Sequence, residues 1–205
     1  MLSRILALAA MAVFLSGCAT TAQISGADRA ALKSVVVSRE VAVPEKMTYM
    51  GPGGATHMVF GVVGALATQS SRDATRDAFQ KEVSSGATID QIAYEETLAQ
   101  LRQSGKFPLR DTRDAGSATL HILVEGYGFS IPNGFSSNLV PTLRMRLELK
   151  DSGGRVLWTA RDYLSVLGGP VEPVAADVIR TNTAAREASW RAGAKALAAK
   201  LVATY

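Results

Sequence analysis

Leu143, Met145, Leu147 and Leu149 alternate with Arg144, Arg146, Glu148 and Lys150, and this period of two restricts the fold more than any other stretch. Successive side chains on a strand point to opposite faces, so the segment is a strand with one dry face and one wet one. Asp151-Ser152-Gly153-Gly154 turns the chain, and Val156, Trp158 and Ala160 return as the partner strand. Arg144 and Arg146 could form an anion site, but on a wet strand face they pair more simply with carboxylates such as Asp162, or face water. Upstream, Leu120, Ile122 and Val124 oppose His121, Leu123, Glu125 and Tyr127, with apolar members on both sides. That marks a central strand, where Gly126 and Gly128 allow a bulge or a close backbone approach. Asn133-Gly134 supplies the turn signal in the loop Ser130 to Asn138. A first strand covers Val35 to Val43 and stops at Pro44, which cannot donate to a ladder.

Helical spacing appears between Ile89 and Ser104, where Ile89, Ile92, Ala93, Leu98 and Leu101 share one broad face. Thr88 can cap its start, and Gly105 suits its stop. Glu95 and Glu96 invite an acid/base reading, but neighbours on a helix point about 100° apart, which favours a solvated face. Before it, Ala74, Phe79 and Val83 make a sparse apolar stripe. Phe107 and Leu109 suggest a brief edge strand over Lys106 to Arg110, limited by Pro108. Leu167 to Arg180 reads as a loop with a turn of helix near Ala175 to Ile179. Asn182 or Thr183 then caps a last helix carrying Ala185, Trp190, Ala194, Leu197 and Leu201, with Trp190 as its packing anchor. This order predicts a single α+β domain, a mostly antiparallel sheet with helices packed on one face. A composition of 47% hydrophobic and 20% charged residues agrees.

The segment Met1 to Cys18 limits location rather than fold. Arg4 gives a basic start, Ile5 to Phe14 an apolar run about half the ~20 residues of a membrane span, and Leu15-Ser16-Gly17-Cys18 a small-residue site ending in cysteine. This resembles the signal and lipobox of bacterial lipoproteins. The resemblance implies cleavage before Cys18, acylation of that residue with palmitate-like chains, and, with Ala19 next, an outer-membrane protein facing the periplasm. The expected division is a signal peptide over 1–17, a lipidated tether over 18–34 and a periplasmic domain over 35–205. As a flexible coil, Ala19 to Ser34 would span about 20 Å. Cys18 is the only cysteine, so the folded part holds neither a disulfide nor a reactive thiol. The net charge of +4 is scattered singly, which argues against a nucleic-acid partner.

Chemistry-bearing motifs are few. Tyr49 to Thr56 is rich in glycine but lacks the Gly-Lys-Ser/Thr ending of a phosphate loop and reads as a turn. Gly134-Phe135-Ser136-Ser137-Asn138 lacks the last glycine of a hydrolase elbow. His57 and His121, the only histidines, do not make a metal site by themselves, and no cofactor fingerprint is present. Met58 to Thr68 is an uncharged apolar run too short to cross a bilayer, either a buried helix or a contact surface. In the second case Met58, Phe60, Gly61, Val62, Gly64 and Ala65 form it, with Gly61/Ala65 and Gly64/Thr68 as small-xxx-small pairs. The alternation over Leu120 to Ser165, the glycine pair before Arg155-Val156-Leu157-Trp158 and the alanine-rich last helix resemble the auxiliary lipoproteins of ABC-type transport systems. Met58 to Thr68 departs from that pattern. The expectation is therefore a non-enzymatic, lipid-anchored periplasmic protein-interaction or assembly module with an envelope protein partner. Carriage of a lipid or other apolar ligand for a transport system is the alternative, and an envelope hydrolase using His121 a further one.

Overall fold

The computed structural model describes residues 22–51, 73–84, 86–133, 136–164 and 169–205. The elements run α1 (Gly26–Ala31), β1 (Val35–Ala42), β2 (Thr48–Met50), α2 (73–82), α3 (Ile89–Ser104), β3 (Ala118–Ser130), β4 (Asn138–Lys150), β5 (Val156–Tyr163), β6 (Val174–Ala175), α4 (Ala176–Thr181) and α5 (Thr183–Ala203). The main path of the sheet is β1-β3-β4-β5, with β2 also on β3 and β6 on β4. β1 and β2 pair with β3 in parallel, and the β3/β4, β4/β5 and β4/β6 ladders are antiparallel. With α3 and α5 packed on each other and on the sheet, the molecule is the α+β arrangement expected, a mostly antiparallel sheet with its helices on one face.

The expected hairpin is present. Leu143, Met145, Leu147 and Leu149 are buried, and the Asp151 carboxylate closes the turn by accepting from the Gly153 and Arg155 amides. Val156, expected inside, is exposed because the register shifts between Leu149 and Lys150. The helix at Ile89–Ser104 has the expected bounds, with Gly105 left-handed at its end (φ 62°). Thr88 occupies the N-cap position without a side-chain hydrogen bond, whereas the Asn182 side chain does cap α5 by accepting from the Ala185 amide.

Four further expectations are corrected. Tyr49 and Met50 belong to β2 rather than to a glycine-rich turn; three residues are too few for an alternation to show. Lys106 to Arg110 forms a single bridge, Leu109 to Val35, because Pro108 has no amide to extend it. Residues 22–34 are not a free coil: Ala22 bridges Thr159, Ile24 is buried, and the Arg29 guanidinium lies 4.0 Å from the Tyr205 ring centre. Tyr127 points away from His121 and Leu123, since a bulge intervenes. Val124 faces Met145 and Gly126 faces Arg144, leaving Glu125 as the extra residue. Tyr127 then lies opposite buried Leu143, on the helix side.

Beyond the bulge, β2 crosses β3 at very short range. Gly128 has φ +151°, and a Cβ built there would lie 1.7 Å from the Thr48 carbonyl oxygen. At Gly126 a Cβ would meet nothing within 4 Å. Gly128→Ala should therefore cost about 2–4 kcal/mol in denaturant unfolding, strain and overpacking together, while Gly126→Ala costs less than ~1 kcal/mol. Equal effects at the two positions would contradict the close crossing.

Candidate functional site

Two surfaces collect polar chemistry. On the wet face of the sheet, bulged Glu125 receives two guanidiniums: Arg161 donates to its Oε2, and Arg146 Nε lies 3.2 Å from its Oε1, at ion-pair distance but without hydrogen-bond alignment. Arg146 also reaches Glu148 at 2.9 Å, and Lys150 reaches Glu148 at 3.1 Å. Arg144 and Arg146 thus do not converge on an anion site. The expected partner of these arginines, Asp162, lies opposite Met145 and pairs with Lys200 of α5 at 2.6 Å. Arg144 stacks instead over Tyr163, 5.9 Å from the ring centre.

The second surface is a cleft of about 230 Å³ between α2, the start of α3 and the far end of β3. Its apolar walls are Val43, Met47, Val83 and Ile89, and the rings of Tyr127 and Trp190 meet edge to face with centres 6.3 Å apart. Trp190 is fixed by stacking on Phe129 at 5.0 Å and by donating its indole N–H to the Gly128 carbonyl at 3.4 Å. Asp90, exposed on the first turn of α3, places a carboxylate at the rim. Burial, with Asp90 adding to it, pushes the Tyr127 hydroxyl above its ordinary value. Gln80 ties the α2 wall down: its Oε1 accepts from the Met47 amide and its Nε2 donates to the Glu45 carbonyl. Apolar walls, aromatic edges and one rim carboxylate suit a side chain with an aliphatic body and a donor tip. A further depression of about 260 Å³ lies beside Leu164 and Lys200.

The residues singled out in the sequence do not assemble into one centre. Cys18, His57 and the run Met58, Phe60, Gly61, Val62, Gly64 and Ala65 lie outside the described residues. Ser136 accepts from the Asn138 amide in the β3–β4 connection. Glu95 and Glu96 do converge, on one guanidinium: Arg191 of α5 sits 2.7 Å from Glu95 and 3.4 Å from Glu96, tying α3 to α5. The Gln91 amide and then Arg191 hold the Glu95 carboxyl below its usual range. Among the described residues no group of three or more His, Cys, Asp or Glu side chains is placed to hold a metal ion, and no helix is long and apolar enough to cross a membrane. Sequence reasoning missed Asp90 and Tyr127 as neighbours; the glycines flanking Tyr127 were the only signal of the bulge that brings them together.

His121 lies opposite Glu148 on the open face and lines neither cavity. Burial first and the Lys150 ammonium second push its imidazole below the ordinary 6.5, with Glu148 acting in the other direction.

No protein-family model matches the sequence, and no curated protein matches it. Among solved structures the chain is similar to a Xanthomonas campestris protein of the DUF330 family, with 19% identity and a TM-score of 0.39 over 56% of this chain and 61% of that one. It thus spans less than two thirds of that protein. It is also similar to the PelC dodecamer from Paraburkholderia phytofirmans, with 16% identity and a TM-score of 0.40 over 92% of this chain and 98% of that one. A single-substitution form of that dodecamer gives 15% and 0.39 over the same shares. At these values the likenesses assign neither family nor function.

Because the folded pKa of His121 is depressed, the unfolded chain takes up the proton first as pH falls. Its contribution to stability is whole above about 6.5 and is lost as pH drops through the folded value. Tm should fall between pH 7 and pH 5, and His121→Gln should remove part of that fall. A Tm difference between parent and variant that does not change with pH would contradict this.

Proposed function

We propose that the chain is a lipid-anchored periplasmic protein-interaction module of the bacterial cell envelope, held to the outer membrane through Cys18 and without enzymatic activity of its own. The observation that carries the reading is the size and chemistry of the cleft. The two cavities formed by the described residues, about 230 Å³ and 260 Å³, both fall below the roughly 300–1,000 Å³ of sites that enclose a small molecule. A partner's side chain, aliphatic along its length and donating at its tip, fits against the wall that Tyr127 and Trp190 form, with Asp90 at the rim. This favours the protein-partner reading over carriage of a lipid.

The apolar run Met58 to Thr68 belongs to the same proposal as a contact surface. The described elements that bracket it, β2 and α2, pack together through Tyr49 and Phe79, whose rings stack with centres 4.0 Å apart. Phe79 in turn meets Phe129 edge to face, 6.0 Å away, one ring removed from Trp190. A hydrolase would want His121 next to a nucleophile in a concave site, whereas its charged neighbours are Glu148, Lys150, Arg113 and Glu40 on an open face.

Two linked measurements test this. Cys18→Ala should abolish palmitate labelling and release the protein from envelope membranes; unchanged labelling and fractionation would remove the anchor. Photo-crosslinking from Phe60 in whole envelopes should capture a discrete protein, and Asp90→Lys should weaken that adduct at least several-fold. Capture of phospholipid alone would overturn the protein-partner reading.

A further inference from the structure

In three clusters on the described surface, two carboxylates hold one guanidinium. Arg76 is shared by Asp73 and Asp77, Arg155 by Asp28 and Asp151, and Arg191 by Glu95 and Glu96. The open face of the sheet inverts that proportion. There Glu125 is shared by Arg146 and Arg161, Glu148 by Arg146 and Lys150, and exposed Arg144 has no carboxylate partner among the described residues. Four cations thus accompany two carboxylates. The further charges that reach His121 on this face, Arg113 and Glu40, offset each other.

Depth separates the two signs. The side chains of Glu125 and Glu148 are 18% and 13% exposed, whereas those of Lys150, Arg146 and Arg161 are 33%, 35% and 43% exposed, so the carboxylates form a floor and the cations a roof. Arg146 and Arg161 also lie directly opposite each other across the β4/β5 ladder, a like-charge pairing that costs stability unless an anion joins them. Glu125 joins them from the floor, through the Nε atoms of both. A guanidinium carries five N–H donors, and that of Arg161 has no other hydrogen-bond partner among the described residues. Donors remain for an acceptor arriving from solvent.

We propose that this sheet face is a second interaction surface, and that it takes an acidic segment of a partner protein. The cations do not converge on one anion; they follow the strands, with Arg144 and Arg146 ~7 Å apart along β4 and Arg161 ~5 Å to the side. Carboxylates two residues apart on an extended chain, or one turn apart on a helix, repeat at roughly 6–7 Å and match that spacing. Arginine and tyrosine are enriched in protein–protein contacts and lysine is depleted. Here three arginines accompany one lysine, and Tyr163, 61% exposed, lies beside Arg144, which favours a protein over an anionic lipid. The face is separate from the cleft, which asks for a donor, and its chemistry does not depend on Cys18.

The probe is a short fluorescein-labelled peptide with glutamate at alternate positions, titrated by anisotropy against the full chain in a neutral detergent. Its glutamine counterpart is the control. The glutamate peptide should bind saturably, at least about tenfold tighter than the glutamine one, and should lose affinity as salt rises. Arg144→Glu should weaken it at least about threefold, as should Arg161→Gln, while Arg155→Gln, at the ion pair with α1, leaves it unchanged. Arg144→Glu breaks no ion pair, so its Tm should match the parent's; Arg144→Gln, with a smaller loss in the same direction, serves if the reversal does not fold. Equal binding of the two peptides, or the same loss in Arg155→Gln as in Arg144→Glu, would overturn the proposal. So would displacement of the peptide by phosphatidylglycerol doped into the micelles, since the face would then be a lipid contact.

Discussion

One extra residue in β3 decides how the two layers of this domain meet. Up to Val124 the strand feeds its even-numbered side chains to the helices; past the bulge at Glu125 the odd-numbered Tyr127 and Phe129 take over. Phe129 stacks on Trp190, Trp190 donates to the Gly128 carbonyl, and Phe79 closes on Phe129 from α2. Each buried aromatic side chain contributes on the order of 2–3 kcal/mol through the area it takes from water, and ring pairs add about 1 kcal/mol. Without the bulge, Tyr127 and Phe129 would turn to the wet face, and α2, β2 and the cleft would lose their support together.

The same bulge organises the opposite face. Glu125, released from the ladder, gathers Arg146 from β4 and Arg161 from β5, one strand further on, and Glu148 gathers Arg146 and Lys150. Exposed pairs of this kind contribute roughly 0–1 kcal/mol each, so they fix spacing and register more than they stabilise. The guanidinium of Arg186, 1% exposed, donates to the carbonyls of Ile179 and Arg180 and so closes the end of α4 onto α5. Burial pushes that guanidinium below its ordinary value, yet its hydrogen bonds keep it serviceable as a cap.

Much of this was written in the spacing of residues, and the exceptions have physical reasons. Period two over Leu143 to Leu149 and the helical face from Ile89 to Leu101 were legible because each is long enough to repeat. Three-residue β2 and two-residue β6 were not, since neither completes an alternation. Gly126 and Gly128 flagged a bulge or a close approach, and both occur, but composition does not say on which residue the parity changes. The cleft stayed hidden for that reason: Tyr127 reads as an outward residue until Glu125 is counted out. Glu95 and Glu96 point apart on their own helix, and only the approach of α5 lets the long Arg191 side chain span both. The docking of residues 22–34 escaped notice because its contacts are with Thr159, Arg155 and Tyr205, more than a hundred positions away.

Ala22 is paired with β5 through Thr159, and Ile24 and Arg29 pack onto the domain behind it, so residues 22–34 are part of the fold rather than a free tail. The Ala22–Thr159 pairing is the first contact that ties this run to the sheet. Amide-resolved hydrogen exchange reads it directly at Thr159, whose outward-facing N–H on β5 has the Ala22 carbonyl as its partner. Exchange at Thr159 clearly slower than at an unpaired amide of the same strand edge is the result expected. Exchange at the rate of an open edge would mean that the N-terminal run does not pair with β5 and that its docking, as described, is wrong.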